Sequence, residues 1–551
     1  MHSTMQDRNL QVSTLFRHGE DSFPTKSVIH YRGERDSTVS TFRDIAARTH
    51  RLARALTDLG VGRGDVVATL CWNTPEHLAA YFAVPGMGAV LHTLNLRLHD
   101  DQLVYIINHA RDRVVIVTED LLPQLERLLP HTPTIEHIII IGGTDPEPRP
   151  GTAHTHRYGE LLAAATDELF DWPDVDEHAA AVLCYTTGTT GKPKGVAYSH
   201  RSIYLHTMAI SAGSAYAFSD ADKVMPVVPM FHANAWGWPH AAWMNGSDII
   251  MTDRFLQASH LTTMITTFRA TAVAAVPTLW SQIDAHARNH TLDLSSLRLA
   301  VVGGSALSRA LATSMREHHN VLLTQGWGMT ETSPLVAFSR PPHDTTPDDE
   351  LNWVTKSGRI LPGVFARAAD SNGRIVPRDG TTVGEIELSG PTVTGSYLPG
   401  REGGDDMAGA FHDGWLRTGD LGVIHPGGWV ELKDRLKDGI KSGGEWISTI
   451  ELENIIAEHP AVRESVVVGI PDPRWEERPF ACVVIRDGHE LTDHDLNTYL
   501  ASRVAKWWIP EKWSIVSEIP KTSVGKMDKR RIRQLLDEGE IQQSNGKELL
   551  R

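Results

Sequence analysis

At 551 residues, with 41% apolar and 22% charged side chains, the chain reads as a globular protein too long for one hydrophobic core, so at least two domains are expected. Its 53 basic against 68 acidic side chains leave a net charge of −15 with no long basic block, which argues against nucleic acid or an anionic membrane surface as main partner. An anionic substrate must therefore be met by local positive charge.

Three scattered cysteines, Cys71, Cys184 and Cys482, form no C-x-x-C pair; they support neither a disulfide framework nor a zinc site and fit a reducing compartment. The opening MHSTMQDRNL lacks the apolar stretch of a signal peptide, and no run approaches the ~18 apolar residues of a spanning helix, so a soluble cytoplasmic protein is expected.

In chain order, Phe42, Ile45, Leu52, Leu56 and Leu59 recur at helical spacing over 41–59, and Gly60 supplies a stop. A strand follows over 65–70, then a small-residue helix over 76–88. The β-branched runs 114–117 and 138–141 have the composition of strands buried on both faces. Helices and such strands alternate to about residue 335, which indicates an α/β fold with largely parallel sheets.

The stretch richest in chemistry is Tyr185-Thr-Thr-Gly-Thr-Thr-Gly-Lys-Pro-Lys-Gly195, which follows an apolar run, 179–183, that reads as a strand. The hydroxyls of Thr186, Thr187, Thr189 and Thr190, the turns allowed by Gly188 and Gly191, and the charges of Lys192 and Lys194 suit a polyphosphate. Walker A spacing is absent, because Gly188 and Gly191 stand three apart and Pro193 follows Lys192, so the usual NTPase or kinase reading is excluded.

Further on, Phe231-His-Ala-Asn-Ala-Trp-Gly-Trp238 is aromatic. Trp236, Trp238 and Trp243 fit either the wall of an apolar tunnel or plain core. In Gly326-Trp-Gly-Met-Thr-Glu-Thr332 the glycines clear space beside a flat ring on which Trp327 can stack, and Glu331 can hold Mg²⁺. From about Leu361, short strands separated by Gly, Pro and Asp turns suggest an antiparallel subdomain, a distorted barrel. Within it, Trp415-Leu-Arg-Thr-Gly-Asp420 ends in a turn aspartate that can accept two ribose hydroxyls or be an ordinary turn residue.

The charged, glycine-bearing run 434–444 marks a domain boundary. Beyond it, helices over 450–459 and 491–504 and a strand over 465–470 describe a small α/β domain. The loop Lys521-Thr-Ser-Val-Gly-Lys526 ends in a lysine that carries meaning only in company, and the polar tail beyond Lys529 is expected to fray.

Taken together, YTTGTTGKPKG, FHANAW, WGMTETSP, GWLRTGDLG, KDRLKDGIKSGGEWIS and PKTSVGK, in this order over nearly the whole chain, resemble the adenylate-forming superfamily, and most closely its fatty-acyl-CoA synthetases. The resemblance implies a large N-terminal domain (1–434) of two α/β subdomains plus a distorted antiparallel β-barrel. A hinge linker (435–441) would lead to a small mobile α+β C-terminal domain (442–551).

It also implies ATP, Mg²⁺ and coenzyme A as co-substrates and a carboxylic acid as acyl donor. The acid would attack the α-phosphate to give acyl-AMP and pyrophosphate, and the thiol of coenzyme A would then displace AMP. By the same match Lys526, Glu331 and His232 are catalytic. ATP or AMP would be held by residues 186–192 and Lys194, by Gly304 and Ser305, by Gly326, Trp327, Gly328, Met329, Thr330 and Glu331, and by Asp420, Arg435 and Lys526. Thr186 and Glu331 would hold the metal, and Lys437 would be the hinge residue. Phe231, His232, Trp236, Gly303 and Gly328 would line the acyl pocket, with Trp236 gating it. Lys441, Ser442, Gly443, Gly444 and Trp446 would line the coenzyme A tunnel.

Departures are Trp327 where tyrosine is commoner and Gly439 where an apolar residue is usual, a change expected to loosen the linker. A homodimer through the large domain is allowed. An acyl-AMP ligase feeding a carrier protein, a non-catalytic acyl-binding relative and a luciferase-like oxygenase are the alternatives; a medium- or long-chain fatty acid is expected from Trp236 and its neighbours, and a bulky cyclic, terpenoid or aryl acid would also suit an apolar tunnel.

Overall fold

The first long helix, Phe42–Asp58, begins where Thr41 stops the preceding strand: its hydroxyl accepts from the Asp44 N–H at 3.2 Å, and the Asp44 carboxylate accepts from the Thr41 N–H at 2.7 Å. The computed structural model describes all residues except 2, 35, 144–152, 167, 187–191, 400–408, 443–444, 487, 523–525 and 542–551, and the side chains of 348, 445 and 493.

Two sheets carry the large lobe. In the first, strands His154–Arg157, His137–Ile141, Asp112–Thr118, Val66–Leu70, Val90–Thr93 and Ala180–Tyr185 lie side by side and parallel, and Gly195–Ser199 pairs antiparallel with the last. Val114–Val117 and Ile138–Ile140 are buried because helices cover both faces of the sheet.

The second sheet has fourteen strands and changes character along its length. Its parallel half runs through Ser27–Gly33, Asp248–Met251, Lys223–Pro226, Ala272–Ala275, Leu299–Val302 and Leu323–Gly328. The strand Leu323–Gly328 is the junction. Leu323, Thr324 and Gln325 register in parallel with Ala300, Val301 and Val302, whereas Gly326, Trp327 and Gly328 pair antiparallel with Phe338, Ala337 and Leu335. From there the ladder continues antiparallel through Gly358–Ile360, Trp429–Arg435, Trp415–Ile424, Gly384–Ser389 and Phe365–Ala369. The antiparallel subdomain expected after Leu361 is thus hydrogen-bonded directly onto the α/β sheet. The Gly-Trp-Gly motif occupies the junction between the two strand directions.

The small lobe is a five-stranded sheet built on the long hairpin Val462–Asp472 and Glu476–Ile485, packed by helices Thr449–Ala457 and Asp493–Ala501. Strand Ile440–Ser442 pairs within this sheet, so that within the expected linker, 435–441, residues 436–439 form the turn between it and strand Trp429–Arg435 of the large lobe. In that turn the Asp438 and Gly439 N–H groups both donate to the Arg435 carbonyl at 2.9 Å. A Cβ on Gly439 would lie 2.9 Å from the Trp446 ring, so the glycine makes room for that indole.

The tail does not fray where its composition suggests. Lys529–Asp537 is a helix, capped by Asp528 accepting from the Arg531 N–H at 3.0 Å, and Ile532 is buried beside Val466, Val468 and Phe480. One buried anchor inside an otherwise charged helix is a weak periodic signal, and it is enough once the hairpin supplies the partner face. The same helix brings Lys529 into an interlobe cluster. Its ammonium pairs with Glu453 at 2.8 Å and donates to Thr449 Oγ1, while the Thr449 hydroxyl donates to Asp434 of the large lobe at 3.0 Å. Burial pushes the carboxyls of both Asp434 and Glu453 upward, and Lys529 opposes that. Lys529→Met strands two buried carboxylates and should cost about 3–5 kcal/mol. Thermal denaturation should show this as a marked loss of stability, partly restored by adding Glu453→Gln.

Candidate active site

A strained turn builds one wall of the site. After strand Lys223–Pro226 the chain reaches Ala233, Asn234, Ala235 and Trp236 with φ of 42°, 54°, 47° and 57°, followed by Gly237 at 78°. Left-handed backbone costs a non-glycine residue about 1–2 kcal/mol, so such a run exists only where its surroundings impose it. Asn73 does much of the imposing: its amide donates to the Pro226 and Val228 carbonyls at 2.9 and 3.0 Å and its oxygen accepts from the Met230 N–H at 2.7 Å. The Tyr81 hydroxyl donates to the Met230 carbonyl.

The turn aims Trp236 across the site, where a Cβ on Gly303 would lie 2.7 Å from its ring. Trp238 and Trp243 belong to the core instead: both are fully buried, and Trp243 stacks on Phe42 at 4.1 Å between ring centres. Phe231, expected in the acyl pocket, is likewise packed into the core, with Leu94, Val117 and Ile140. Gly328 serves the backbone, since a Cβ there would fall 2.0 Å from the Pro334 carbonyl oxygen.

Between these walls lies a cavity of about 200 Å³. Trp236, Val227, Val276, Leu279 and Leu256 make it apolar, and His232, Arg97, Gln282, Gly304 and Lys526 supply its polar edge. Arg97, Gln282 and the apolar Val276-Pro-Thr-Leu279 segment were not anticipated. The only signal for the latter was a strand, Ala272–Ala275, running into a proline-started helix, Pro277–His290.

Lys526 arrives from the small lobe on a tight loop in which the Thr522 N–H donates to the Lys526 carbonyl at 2.7 Å and the Lys526 N–H to the Thr522 hydroxyl at 3.2 Å. It passes so close to Gly304 (φ +83°) that a Cβ there would stand 3.2 Å from the lysine Cε. Enclosure lowers the lysine to about 8; Arg435 adds to this, while Asp420 and Glu331 oppose it. His232 is held neutral, down to about 3, by burial and then by the positive charges of Lys526 and Arg97.

The third side is the sheet junction. The Trp327 indole N–H donates to Asp420 Oδ2 at 3.1 Å, and Arg435 Nε pairs with Asp420 Oδ1 at 2.7 Å. Asp420 and Arg435 face each other in register across two antiparallel strands. Burial pushes the Asp420 carboxyl up, and Arg435 opposes this. Trp327 is itself 7% exposed and packs on Val336, Ile386 and Val430, so the indole both fills the barrel core and orients the carboxylate.

Just beyond, Thr330–Thr332 makes a short turn that presents Glu331, 8% exposed, whose Oε1 accepts from the Tyr397 hydroxyl at 2.8 Å. Among the described residues no salt bridge uses Glu331, so a buried carboxylate with a neutral partner is left to meet a cation. No cluster of three or more His, Cys, Asp or Glu suited to a metal occurs among the described residues. An ion here would therefore draw further oxygen ligands from a bound phosphate, which is how Mg²⁺ is commonly held.

Of the threonine–glycine loop, Thr187, Gly188, Thr189, Thr190 and Gly191 lie outside the described residues. Its ends are tied together: the Thr186 N–H donates to the Lys194 carbonyl at 2.9 Å and the Lys194 N–H to the Thr186 hydroxyl at 3.3 Å. Lys192 lies 5.1 Å from the Tyr105 ring centre and Lys194 4.8 Å from that of Tyr397. Ser305 is exposed beside Gly304, and Met329 is tied to Thr332.

In the small lobe, Ser442 is buried against Arg478, whereas Lys441 and Trp446 are exposed and stack at 5.0 Å. Gly443 and Gly444 lie outside the described residues. Among the described residues, Lys441, Ser442 and Trp446 do not line the cavity; the lobe presents Lys521 and Lys526 to it. Lys437 sits in the interlobe turn, lowered by burial.

Two substitutions probe this geometry. Asn73→Ala removes three buried hydrogen bonds, about 2–4 kcal/mol, and should lower thermal stability while loosening Trp236, seen as increased quenching of tryptophan fluorescence by acrylamide. Gly304→Ala meets both the left-handed φ and the lysine; it should cost about 1–2 kcal/mol, read as a lowered melting temperature, and weaken any reaction that depends on Lys526 about tenfold or more.

Comparison with known proteins agrees with this arrangement. The pattern of the AMP-binding enzyme family spans residues 16–398, and that of the AMP-binding enzyme C-terminal domain spans 451–526. A long-chain-fatty-acid–CoA ligase of Thermus thermophilus is 41% identical over 97% of this chain and 96% of its own length. A 3-methylmercaptopropionyl-CoA ligase of Ruegeria pomeroyi is 37% identical over 97% of this chain and 98% of its own. The crystal structure of an anthranilate CoA ligase with anthranoyl-AMP superposes with a TM-score of 0.86 at 25% identity, covering 98% of this chain and all of that one. With Lys526, Glu331 and Asp420 converging on one crevice, the chain belongs to the AMP-binding, adenylate-forming enzyme family.

Proposed function

We propose that the protein is an ATP-dependent acyl-CoA synthetase acting on an apolar carboxylic acid of medium chain length. The observation that carries this reading is the Lys526 ammonium lying at the polar edge of an apolar cavity, on the side facing Asp420 and Glu331. The acyl chain occupies the cavity walled by Val227, Val276, Leu279 and Trp236, and its carboxylate turns toward Lys526 and His232. At about 200 Å³ the cavity falls below the roughly 300–1,000 Å³ of drug-sized sites, so with Trp236 in this position it suits a medium acyl chain.

The nucleotide takes the crevice at the sheet junction. Asp420, oriented by Trp327 and Arg435, accepts the ribose hydroxyls with its remaining lone pairs. Residues 186–194 take the phosphates, and Glu331 with Thr186 would hold Mg²⁺, which lowers the negative charge on the phosphates when bound.

A carboxylate oxygen then bonds to the α-phosphorus and the bond to the β-phosphate oxygen breaks, releasing pyrophosphate and leaving acyl-AMP. Lys526 neutralises the two anions as they meet. Neutral His232 donates a hydrogen bond and keeps no charge of its own. In the second half the sulfur of coenzyme A bonds to the acyl carbon, AMP leaves, and the thiol proton passes to solvent. Rotation about the 436–439 turn, with Lys437 as hinge, withdraws Lys526 and brings Lys441 to Trp446 forward. The three cysteines, all unpaired and buried, support a reducing, cytoplasmic setting.

Acid-dependent ATP–pyrophosphate exchange across an acid series, followed by AMP release with and without coenzyme A, tests the reading. The expected result is exchange with medium-chain acids and thiol-dependent AMP release. Lys526→Ala should lower adenylation at least 10²-fold, about 3 kcal/mol, yet spare thioester formation from supplied acyl-AMP; equal loss of both halves would break this division of labour. The pH profile carries a sign as well. Lysine is charged below its pKa, and here that pKa is lowered to about 8. So kcat/KM for exchange should hold below pH 8 and fall above it, while thioester formation from acyl-AMP shows no such limb.

A further inference from the structure

The segment that follows strand Gly384–Ser389 takes no part in the chemistry described so far, yet it is fastened to the site at three points. The Thr394 N–H donates to the Glu331 carbonyl at 2.8 Å, the Leu398 N–H donates to the Gly195 carbonyl at 2.8 Å, and between them the Tyr397 hydroxyl donates to Glu331 Oε1 at 2.8 Å. The Tyr397 ring carries the Lys194 ammonium at 4.8 Å from its centre. One side chain therefore touches both the carboxylate at the sheet junction and the last lysine of the threonine–glycine loop.

We infer that Tyr397 is a positioning residue for the metal–phosphate half of the site: it fixes the Glu331 carboxylate toward a divalent cation and the Lys194 ammonium toward the same phosphates. This rests on the nucleotide reading given above. One feature favours positioning over mere packing. The hydroxyl's partner is the side chain of Glu331, beside a second cavity of about 290 Å³ lined by Tyr198, Ser333, Thr392 and Ser396 together with Val196 and Leu398, so the ring stands at an opening and not in closed core. A carboxylate held by one such bond presents its other oxygen in a fixed direction, which Mg²⁺ with its strict octahedral demand requires.

The test uses Mn²⁺ as a paramagnetic stand-in and α,β-methylene-ATP, whose P–CH2 bridge does not break, so that it cannot donate its adenylyl group to the acid. Loss of the free Mn²⁺ signal on titration with the full-length protein measures formation of the ternary complex. Tyr397→Phe should weaken Mn²⁺ binding in the presence of the nucleotide by roughly tenfold, the scale of one charge-assisted hydrogen bond, with the KM for the acid unchanged. In a Glu331→Gln background the same substitution should add less than about twofold, because the two act through one carboxylate. Unchanged Mn²⁺ affinity, or an equal loss with and without Glu331→Gln, would overturn the inference. If Tyr397→Phe is poorly folded, Tyr397→Trp keeps the ring under Lys194 and deletes the hydroxyl, and the same criteria apply. Absence of Mn²⁺–nucleotide binding in the unsubstituted protein would instead overturn the nucleotide reading, and this inference with it.

Discussion

Two anions must be brought together, and that requirement orders the whole molecule. A carboxylate approaching a phosphate at ~4 Å meets a repulsion of ~4 kcal/mol at an effective dielectric near 20. A cation placed between them reverses the sign. On the proposed reading the smaller lobe carries that cation: Lys526 lies beside Gly304 and comes from a segment closed by an isolated Lys521–Met527 bridge. Burial lowers its pKa to about 8 from 10.5, so enclosure works against the charge, while Asp420 and Glu331 favour it.

A residue delivered from another lobe must also be withdrawable, and the interlobe contacts have the character this demands. They are polar and local: Asp434 with Thr449 of the small lobe at 3.0 Å, and Asp438 of the turn with Arg533 at 2.9 Å. The buried hydrophobic clusters of the small lobe, by contrast, are drawn wholly from its own residues beyond 439. Polar contacts between lobes with separate cores can be exchanged for others at little cost, which is how domain closure differs from core packing. The turn at 436–439, with Gly439 tucked under Trp446, is short enough to define an axis.

How much of this could be read in the sequence follows from the range of the forces involved. The parallel strands announced themselves as β-branched runs, and Thr41 with Asp44 wrote a helix start into four residues. The motif residues were legible because glycine, lysine and carboxylate at fixed spacing have few other uses. What escaped was whatever depends on distant partners. Trp238 and Trp243 carry the same aromatic signal as Trp236, and only the packing of Tyr216 and Phe218 on Trp238, and of Phe16 and Phe42 on Trp243, separates core from cavity wall. Phe231 and Gly328 sit inside motifs yet serve the core and a backbone crossing. The helix Lys529–Asp537 looked like a polar tail because its stabilising contacts, Ile532 into the hairpin and Lys529 onto Glu453, reach far across the chain.

The left-handed turn of Ala233 to Trp236 follows the same logic at a smaller scale. Four non-glycine residues at positive φ cost about 4–8 kcal/mol together, more than the three hydrogen bonds from Asn73 return at about 0.5–1.5 kcal/mol each. The balance comes from burial of the segment itself, since Ala233, Asn234, Ala235 and Trp236 are all at most 8% exposed. A backbone held against its own preference by a surrounding core has no neighbouring conformation of similar energy to slide into. The Trp236 ring that this turn places lies against Gly303, where a Cβ would stand 2.7 Å from it, so any side chain at that position would push the indole off the cavity wall.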